Sequence, residues 1–184
     1  QVLNHSSGYP AWDKYYERFP FPETEGEALE NKRRILHEIL DTSPNLPPGS
    51  LGVYSDLGYM LLGHWVERAF DLRLDEVVSQ HIVEPLSMER TGYVFCDVPL
   101  SDAVRTELDT RRPHVTDDAG AVAGVVHDEN CYIQGGVAGH AGVFSTARDL
   151  LMFGEHMRDV ADGADGIVSS STHLSFWDRN MLGP

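Results

Sequence analysis

The stretch Tyr54-Ser55-Asp56-Leu57-Gly58-Tyr59-Met60-Leu61-Leu62-Gly63, which follows the turn-forming residues Pro47-Pro48-Gly49, decides how this chain folds. Ser55 and Asp56 can each cap the free amides of a helix, so the sequence predicts a helix that starts at one of them. Its predicted buried stripe has helical spacing and consists of Leu57, Leu61, Leu62, Trp65 and Ala69. A phenol and a carboxylate therefore lie two residues apart where a turn becomes a helix.

Apolar spacing and capping residues predict four further helices on either side of this stretch. Their approximate ranges are Glu27–Leu40, Leu74–Ile82, Thr146–His156 and a last helix from a cap within Ser169–Thr172 to Trp177. In the helix after Thr146, the candidate core positions are Leu150, Leu151 and Phe153. Residues 97–130 are acidic and weakly periodic, which predicts a long loop with short extended pieces, and clear alternating strands are scarce.

Residues 1–26 are rich in aromatic residues and prolines and are predicted to form an irregular loop that follows the surface. Two roles remain open for the aromatic residues of this loop. They can form one wall of an apolar substrate cleft, or they can pack on the helices. The residues concerned are Tyr15, Tyr16, Phe19 and Phe21.

The composition narrows the possible partners. The formal net charge of −15 argues against binding to nucleic acid or to an anionic membrane, because both reward clustered cations. Cys96 and Cys131 are far apart; a disulfide is possible, two unpaired buried thiols are favoured, and a structural zinc site is not expected without a Cys-x-x-Cys pair. The sequence opens on Gln1 without an initiator methionine, so we expect a processed form or an excerpt of a longer protein.

Three segments carry a resemblance to a known family. Asn4–Pro10 resembles the loop His-Thr-Ser-Gly-Leu-Pro, and Pro48–Gly63 followed by Glu84–Met88 resembles the run Pro-Gly, Tyr-Ser-Asn, Leu-Leu-Gly and Pro-Leu-Gly-Met. Val126–Asn130 followed by Gly135–Leu150 is similar to a glycine-rich turn that enters a helix. The family is that of the serine hydrolases related to class C β-lactamases and penicillin-binding proteins. Three matches in the same order make the resemblance strong.

The resemblance implies an α+β fold of the β-lactamase/transpeptidase type, in which an antiparallel sheet flanked by helices is joined to a helical lobe. Residues 1–184 are then the central part of a single domain and cover mainly the helical lobe. The segment with the nucleophile and the C-terminal segment of the sheet would lie outside them. The family is usually found in the cell envelope or secreted, but these residues leave the location unknown. Helices without the sheet that they should cover would expose an apolar face, which predicts aggregation.

The resemblance also implies roles for individual residues. Family members acylate a serine in Ser-x-x-Lys, and a Tyr-x-Asn or Ser-x-Asn element relays the proton. Tyr54 takes the relay position. The alternative is a purely structural role, as a half-buried aromatic residue that bonds through its hydroxyl. Asp56 replaces the usual Asn, and because an ionised carboxylate only accepts hydrogen bonds, it suits pairing with the family's lysine. A plain helix cap is equally open for Asp56. His140 is a candidate substrate contact, although local bonding in a tight turn is favoured.

The nucleophile motif itself is missing from these residues. Ser-x-x-Lys would need serine three positions before Lys14 or Lys32, where the sequence has Ala11 and Leu29. The late Lys-Thr-Gly or His-Thr-Gly motif is missing too. We therefore expect the intact protein to hydrolyse an ester or amide through an acyl-enzyme, as a D,D-peptidase, penicillin-binding or esterase type, and this segment alone to be inactive.

A non-catalytic protein of the same fold, which binds cell-wall peptide or a protein partner, is the alternative. The resemblance implies a small-molecule or peptide substrate and neither a metal nor an organic cofactor. His127-Asp128-Glu129 could supply metal ligands, but adjacent side chains point apart, so a solvated loop is favoured there.

Overall fold

The computed structural model of this protein describes residues 1–93, 103–106 and 124–177. These residues form the helices α1 Glu25–Asp41, α2 Asp56–Phe70, α3 Leu74–Val78, α4 Glu129–Tyr132, α5 Ala147–Ala161 and α6 Ser170–Trp177. A 3-10 turn, Tyr15–Glu17, precedes α1, and α3 continues into a π-helical turn, Ser79–Val83. Among the described residues, extended backbone pairs only in an isolated antiparallel bridge between Gly92 and Phe144. Most of the predicted loop 97–130 lies outside the described residues, as does Cys96.

The capping residues set the helix starts, which confirms the predicted helices. Ser55 caps α2, because its Oγ accepts the N–H of Gly58 at 3.2 Å. Thr146 caps α5 in the same way through the N–H of Asp149, and α5 then runs five residues beyond the predicted end at His156. At α6, Ser169 Oγ accepts the N–H of Thr172. Side-chain acceptors of this kind satisfy amides that no helical carbonyl can reach.

The main core lies between α1, α2 and the N-terminal loop. Its buried members are Tyr15, Phe19, Ile35, Ile39, Leu57, Met60, Leu61 and Ile133. Tyr16 and Phe21 pack against this core and are only partly buried. The packing role predicted for the aromatic residues of the loop is therefore confirmed, and the prediction that the loop only follows the surface is wrong for Tyr15 and Phe19.

Two buried amide side chains explain why the N-terminal loop turns inward. Asn130 Nδ2 donates to the carbonyl of Asp13 at 2.8 Å, and its Oδ1 accepts the N–H of Tyr16 at 3.2 Å. On α1, Asn31 Nδ2 donates to the carbonyls of Pro20 at 2.9 Å and Ile133 at 3.0 Å. Since buried backbone groups need partners, these amides allow an irregular segment to lie against the core.

The buried face of α2 differs from the predicted stripe. Leu57 and Leu61 are buried as predicted, but Trp65 is 52% exposed and Ala69 is also exposed. The face is turned toward Gly63, where an added Cβ would lie 2.9 Å from the backbone nitrogen of Gly139. A Cβ on Gly139 would in turn lie 2.1 Å from the carbonyl oxygen of Tyr59. Glycine at both positions therefore lets the segment around residue 139 approach α2 closely.

Helix α5 buries little of its apolar surface. The predicted core positions Leu150 and Leu151 are 58% and 62% exposed, so this prediction is wrong. The buried residues of α5 are Asp149 and Val160. Apolar spacing shows which face of a helix is apolar, but it does not show whether the same chain covers that face. Within the described ranges, no helix combines the length and the apolar character needed to cross a membrane.

Candidate active site

The junction before α2 holds Tyr54 at the surface and Ser55 in the interior. Ser55 is 1% exposed, and its hydroxyl donates to the carbonyl of Pro10 at 2.7 Å while it caps α2. The N–H of Asp56 donates to the carbonyl of Ala11 at 2.8 Å. Tyr54 is 66% exposed, so the alternative of a half-buried aromatic residue is wrong in its burial, although the Tyr54 hydroxyl does bond to Asp56. The backbone of the junction is fixed on both sides of an accessible phenol.

The first and second of the three segments lie side by side. The carbonyl of His5 accepts the N–H of Val53 at 2.8 Å, and Nδ1 of the same residue accepts the N–H of Ser55 at 3.1 Å. The loop turns at Gly8, which has a φ of +82°. A Cβ there would lie 2.0 Å from the carbonyl oxygen of Leu46, so only glycine fits.

The third segment supplies a histidine–carboxylate pair in which the histidine side chain is buried and the carboxylate is partly exposed. The His140 side chain is 2% exposed, and its Nε2 lies 3.1 Å from Oδ1 of Asp128. Its Nδ1 is buried and has no hydrogen-bond partner among the residues that the structure describes. The bonding of His140 is thus not confined to its own turn. Asp128 also accepts the N–H of Cys131 at 2.7 Å at the start of α4, and its side chain is 32% exposed, so the solvated loop favoured for residues 127–129 holds only in part.

Burial of Asp56 and the charge of Asp56 beside Tyr54 leave both groups with raised pKa values. Burial raises the pKa of Asp56, and the charge of Asp128 adds to this, while His140 and the hydrogen bond from Tyr54 act in the opposite direction. The negative charge of Asp56 is in turn the main reason why the pKa of Tyr54 is raised. Tyr54 is therefore a proton donor here, and it would need a nearby cation before it could act as a base.

The pKa of Asp128 shifts the other way. Burial alone would raise it, but the hydrogen bond and the charge of His140, together with the N–H of Cys131, outweigh burial and lower the pKa. The charge of His140 acts to lower the pKa of both Asp128 and Asp56. The segment around Gly139 packs on α2 next to Tyr59. The structure thus groups Tyr54, Asp56 and His140, the three residues predicted from sequence.

Neither lysine of this sequence serves the junction as a free cation. Lys32 Nζ lies 2.5 Å from Glu67 Oε1 and 3.2 Å from the carbonyl of Val137, largely shielded from solvent. Lys14 Nζ pairs with Glu17 Oε1 at 2.8 Å on the surface. Both ammonium groups are engaged by glutamates, which agrees with the lack of a Ser-x-x-Lys motif around either of them.

Other candidate chemistry is structural. Cys131 is a buried free thiol, as predicted for unpaired cysteines, and burial raises its pKa. Its Sγ donates to the carbonyl of Ala141 at 3.1 Å. In residues 1–93, 103–106 and 124–177, no three His, Cys, Asp or Glu side chains are grouped so that they could hold a metal ion.

Comparison with known proteins identifies the family. The family model described as Beta-lactamase matches residues 1–184. The chain belongs to the beta-lactamase family. This family member is 34% identical over 167 residues to an Escherichia coli (strain K12) protein that is provisionally named a D-alanyl-D-alanine carboxypeptidase. That match covers 85% of this chain and 37% of the relative, so the chain spans well under half the length of that relative.

Solved structures show the fold of this beta-lactamase family member. D-amino acid amidase from Ochrobactrum anthropi SV3, complexed with D-phenylalanine, has a TM-score of 0.63 at 18% identity, over 94% of this chain and 46% of that one. A penicillin binding protein from Bacillus halodurans has a TM-score of 0.62 at 16% identity, over 96% and 49%. The fold is therefore of the β-lactamase/transpeptidase type, and the mostly helical character of the described residues fits a segment of the helical lobe.

His5 was not predicted to have a role from the sequence, and Asp128 was considered only as a metal ligand. His5 and Asp128 both lie inside the segments that resemble the family, and this was the only signal available for them. His5 is 50 positions from Ser55 in sequence, so only the folded chain shows their contact.

Proposed function

We propose that the intact protein is a serine hydrolase in which a serine attacks an ester or amide carbonyl and the acyl-enzyme is then hydrolysed. Residues 1–184 form the central, mainly helical part of one α+β domain. The serine and lysine of Ser-x-x-Lys, and the late motif on the sheet, come from segments outside Gln1–Pro184. The observation that carries the proposal is an exposed phenol, Tyr54, beside a partly buried carboxylate, Asp56, at the start of α2.

In this proposal, Asp56 holds the lysine that these residues do not supply. Burial raises the pKa of the Asp56 carboxyl, so a neighbouring ammonium group would gain a strong partner and would reverse the shift. The same cation would lower the pKa of Tyr54, which Asp56 alone raises. Tyr54 can then take the proton from the serine hydroxyl and pass it to the leaving group, which is general acid–base catalysis.

His140 remains a predicted substrate contact within this proposal. Its unpaired Nδ1 is the atom that would meet the substrate, and because the ring is 2% exposed, the turn around residues 139–142 must open first. Under this role, His140→Gln raises KM by more than it lowers kcat. An unchanged KM in a folded variant contradicts the substrate contact and leaves His140 as the partner of Asp128.

The favoured substrate is an amide next to a D-amino acid. The names of the Escherichia coli relative and of the Ochrobactrum anthropi amidase both refer to such compounds. We expect the intact protein to release D-alanine from a peptide that ends in D-alanyl-D-alanine. It should not release L-alanine from the matched peptide that ends in L-alanine. Hydrolysis of a simple p-nitrophenyl ester without release of D-alanine would instead assign the esterase type.

Acylation of the product of the complete reading frame tests the proposal. Labelling with a fluorescent penicillin or a fluorophosphonate, followed by peptide mapping, should place the label on a serine outside Gln1–Pro184 that is followed three residues later by lysine. The 184-residue chain alone should stay unlabelled. A label on a serine within these residues contradicts the proposal. No label on the folded complete protein also contradicts it and favours the non-catalytic binding protein.

A further inference from the structure

We propose that His5 is a positioning residue for Tyr54: its ring nitrogen holds the backbone next to Tyr54, while its ring packs against the phenol. Tyr54 relays a proton only in the function proposed above, so this role of His5 rests on that proposal. His5 itself need not touch the substrate or the reacting atoms.

The hydrogen bond to Ser55 fixes the tautomer of the His5 ring. Nδ1 of His5 lies 3.1 Å from the backbone nitrogen of Ser55, which can only donate. Nδ1 must therefore be the unprotonated acceptor, and the ring proton lies on Nε2. A protonated imidazole would turn this acceptor into a donor facing another donor, and the contact would be lost.

The His5 backbone holds the same segment from a second point. Its carbonyl accepts the N–H of Val53 at 2.8 Å, and its own N–H donates to the carbonyl of Val2 at 3.1 Å. His5 reaches both Val53 and Ser55 because its φ is +57°, a left-handed conformation that is unusual for a residue with a side chain. Residues with this backbone conformation persist where the surrounding contacts enforce it, and such residues cluster at functional sites.

The ring contacts complete the arrangement. The His5 ring centroid lies 4.6 Å from that of Tyr54 and 4.8 Å from that of Tyr59. The Tyr59 hydroxyl donates to the carbonyl of Leu3 at 3.0 Å, so the second ring is itself anchored to the N-terminal loop. Tyr54 is 66% exposed and its hydroxyl bonds to Asp56, so the His5 ring contact is a second restraint on where the phenol points.

Two variants separate the functions of the His5 side chain. His5→Asn keeps an acceptor oxygen and a residue type that tolerates the left-handed conformation, but it loses the ring. His5→Phe keeps a ring and loses the acceptor. In the 184-residue chain, we expect Ser55 amide hydrogen exchange to quicken at least about tenfold in His5→Phe and to stay within about threefold of wild type in His5→Asn. The Asp56 amide, which bonds to Ala11, is the internal control.

Imidazole ¹⁵N chemical shifts of the unmodified chain test the same bond without a substitution. At about pH 8, where an ordinary histidine is neutral, His5 should show a proton on Nε2 and none on Nδ1. A protonated Nδ1, or unchanged Ser55 exchange in His5→Phe, overturns the inference.

Acylation kinetics of the product of the complete reading frame test the link to Tyr54. His5→Phe should slow acylation by a fluorescent penicillin about tenfold, and His5→Asn should recover only part of the rate, because it keeps the acceptor but loses the ring. In a Tyr54→Phe background, His5→Phe should cause no further loss, because both changes then remove the same function. A full additional loss in that background overturns the inference and leaves the proposed function intact. If Tyr54→Phe alone has no effect, the proposed relay role of Tyr54 fails, and the role of His5 fails with it.

Discussion

Helices α1 and α2 pack through buried apolar side chains, whereas helices α5 and α6 leave several of their large apolar side chains exposed to solvent. Ile35 and Ile39 of α1 are fully buried, and Leu57 of α2 is 1% exposed. At the other end, Leu151 of α5 is 62% exposed and Trp177 of α6 is 72% exposed. The two regions have similar apolar content along their helices, so the difference lies in what covers them.

The contrast separates helices that other described residues cover from helices that are mostly uncovered. The N-terminal loop returns over α1 and α2, and it brings His5 to the Tyr54 junction as it does so. Helix α5 is attached instead by polar contacts, chiefly Asp149 with the segment Arg90–Thr91, and by the bridge between Gly92 and Phe144. The candidate active site therefore lies beside the buried core that α1, α2 and the N-terminal loop share.

The largest effect is expected in the α1–α2 core. Ile39→Ala removes a fully buried side chain and should lower the free energy of unfolding by about 3 kcal/mol. Leu151→Ala, the matched change in the exposed region, should cost less than about 0.5 kcal/mol. Urea denaturation measures both, provided that the two variants share the wild-type m-value. Equal losses in the two variants would remove the distinction between the regions.

A polar change should have the next largest effect, because polar contacts hold α5. Asp149 Oδ2 accepts the N–H of Arg90 at 2.9 Å and the hydroxyl of Thr91 at 2.8 Å. Asp149→Ala leaves these donors without that acceptor and should cost about 2 kcal/mol. Asp149→Asn keeps one oxygen and should cost less. If the alanine variant unfolds like wild type in urea, the attachment of α5 depends on something other than this carboxylate.

Within the packed region, Asp56 is expected to act against stability. Burial raises its pKa in the folded chain, so the ionised carboxyl costs stability at neutral pH, where the unfolded chain carries the same charge freely. Asp56→Asn should therefore stabilise the 184-residue chain by about 0.5 kcal/mol at pH 7, a small gain because solvent screens a partly buried group.

The gain from Asp56→Asn should depend on pH in a defined direction. As the pH falls through the raised pKa of Asp56, the wild-type carboxyl becomes neutral in the folded chain and its cost disappears. The variant and the wild type should then converge near pH 4, the ordinary range of this group. Urea denaturation at several pH values measures this. A gain that grows toward low pH would have the wrong sign.

The smallest change in unfolding free energy is expected from Leu151→Glu. The side chain is already 62% exposed, so folding should be unaffected within about 0.5 kcal/mol. Self-association should change instead, since several apolar residues of α5 and α6 are at least half exposed, namely Leu150, Leu151, Leu174, Phe176 and Trp177. Light scattering at increasing concentration should show less association in the variant than in wild type. Lys14→Glu, a change at another surface site, is the control.

The helices were predictable because their signals are local. Ser55 and Thr146 cap the first turns of α2 and α5, and a cap depends on atoms within three residues. Exposure was not predictable in the same way. Trp65, Leu150 and Leu151 fit a helical stripe, but whether a stripe is covered depends on segments distant in sequence or outside the chain.

The candidate site was predictable only as far as the resemblance reached. Tyr54 and Asp56 followed from a short motif, and the absence of Ser-x-x-Lys could be read directly. The contact of His5 with Ser55 and the pair formed by Asp128 and His140 join residues far apart or in different turns. The raised pKa of Asp56 depends on burial and on these neighbours, so no local pattern could have predicted it.

The acylation rate of Tyr54→Phe in the product of the complete reading frame tests the central claim most directly. The substitution removes one oxygen from an exposed side chain whose backbone is fixed by its neighbours, so folding should be unchanged. If Tyr54 relays the proton, acylation by a fluorescent penicillin should slow by about 100-fold or more. An unchanged rate in a folded Tyr54→Phe protein would contradict the role of the junction.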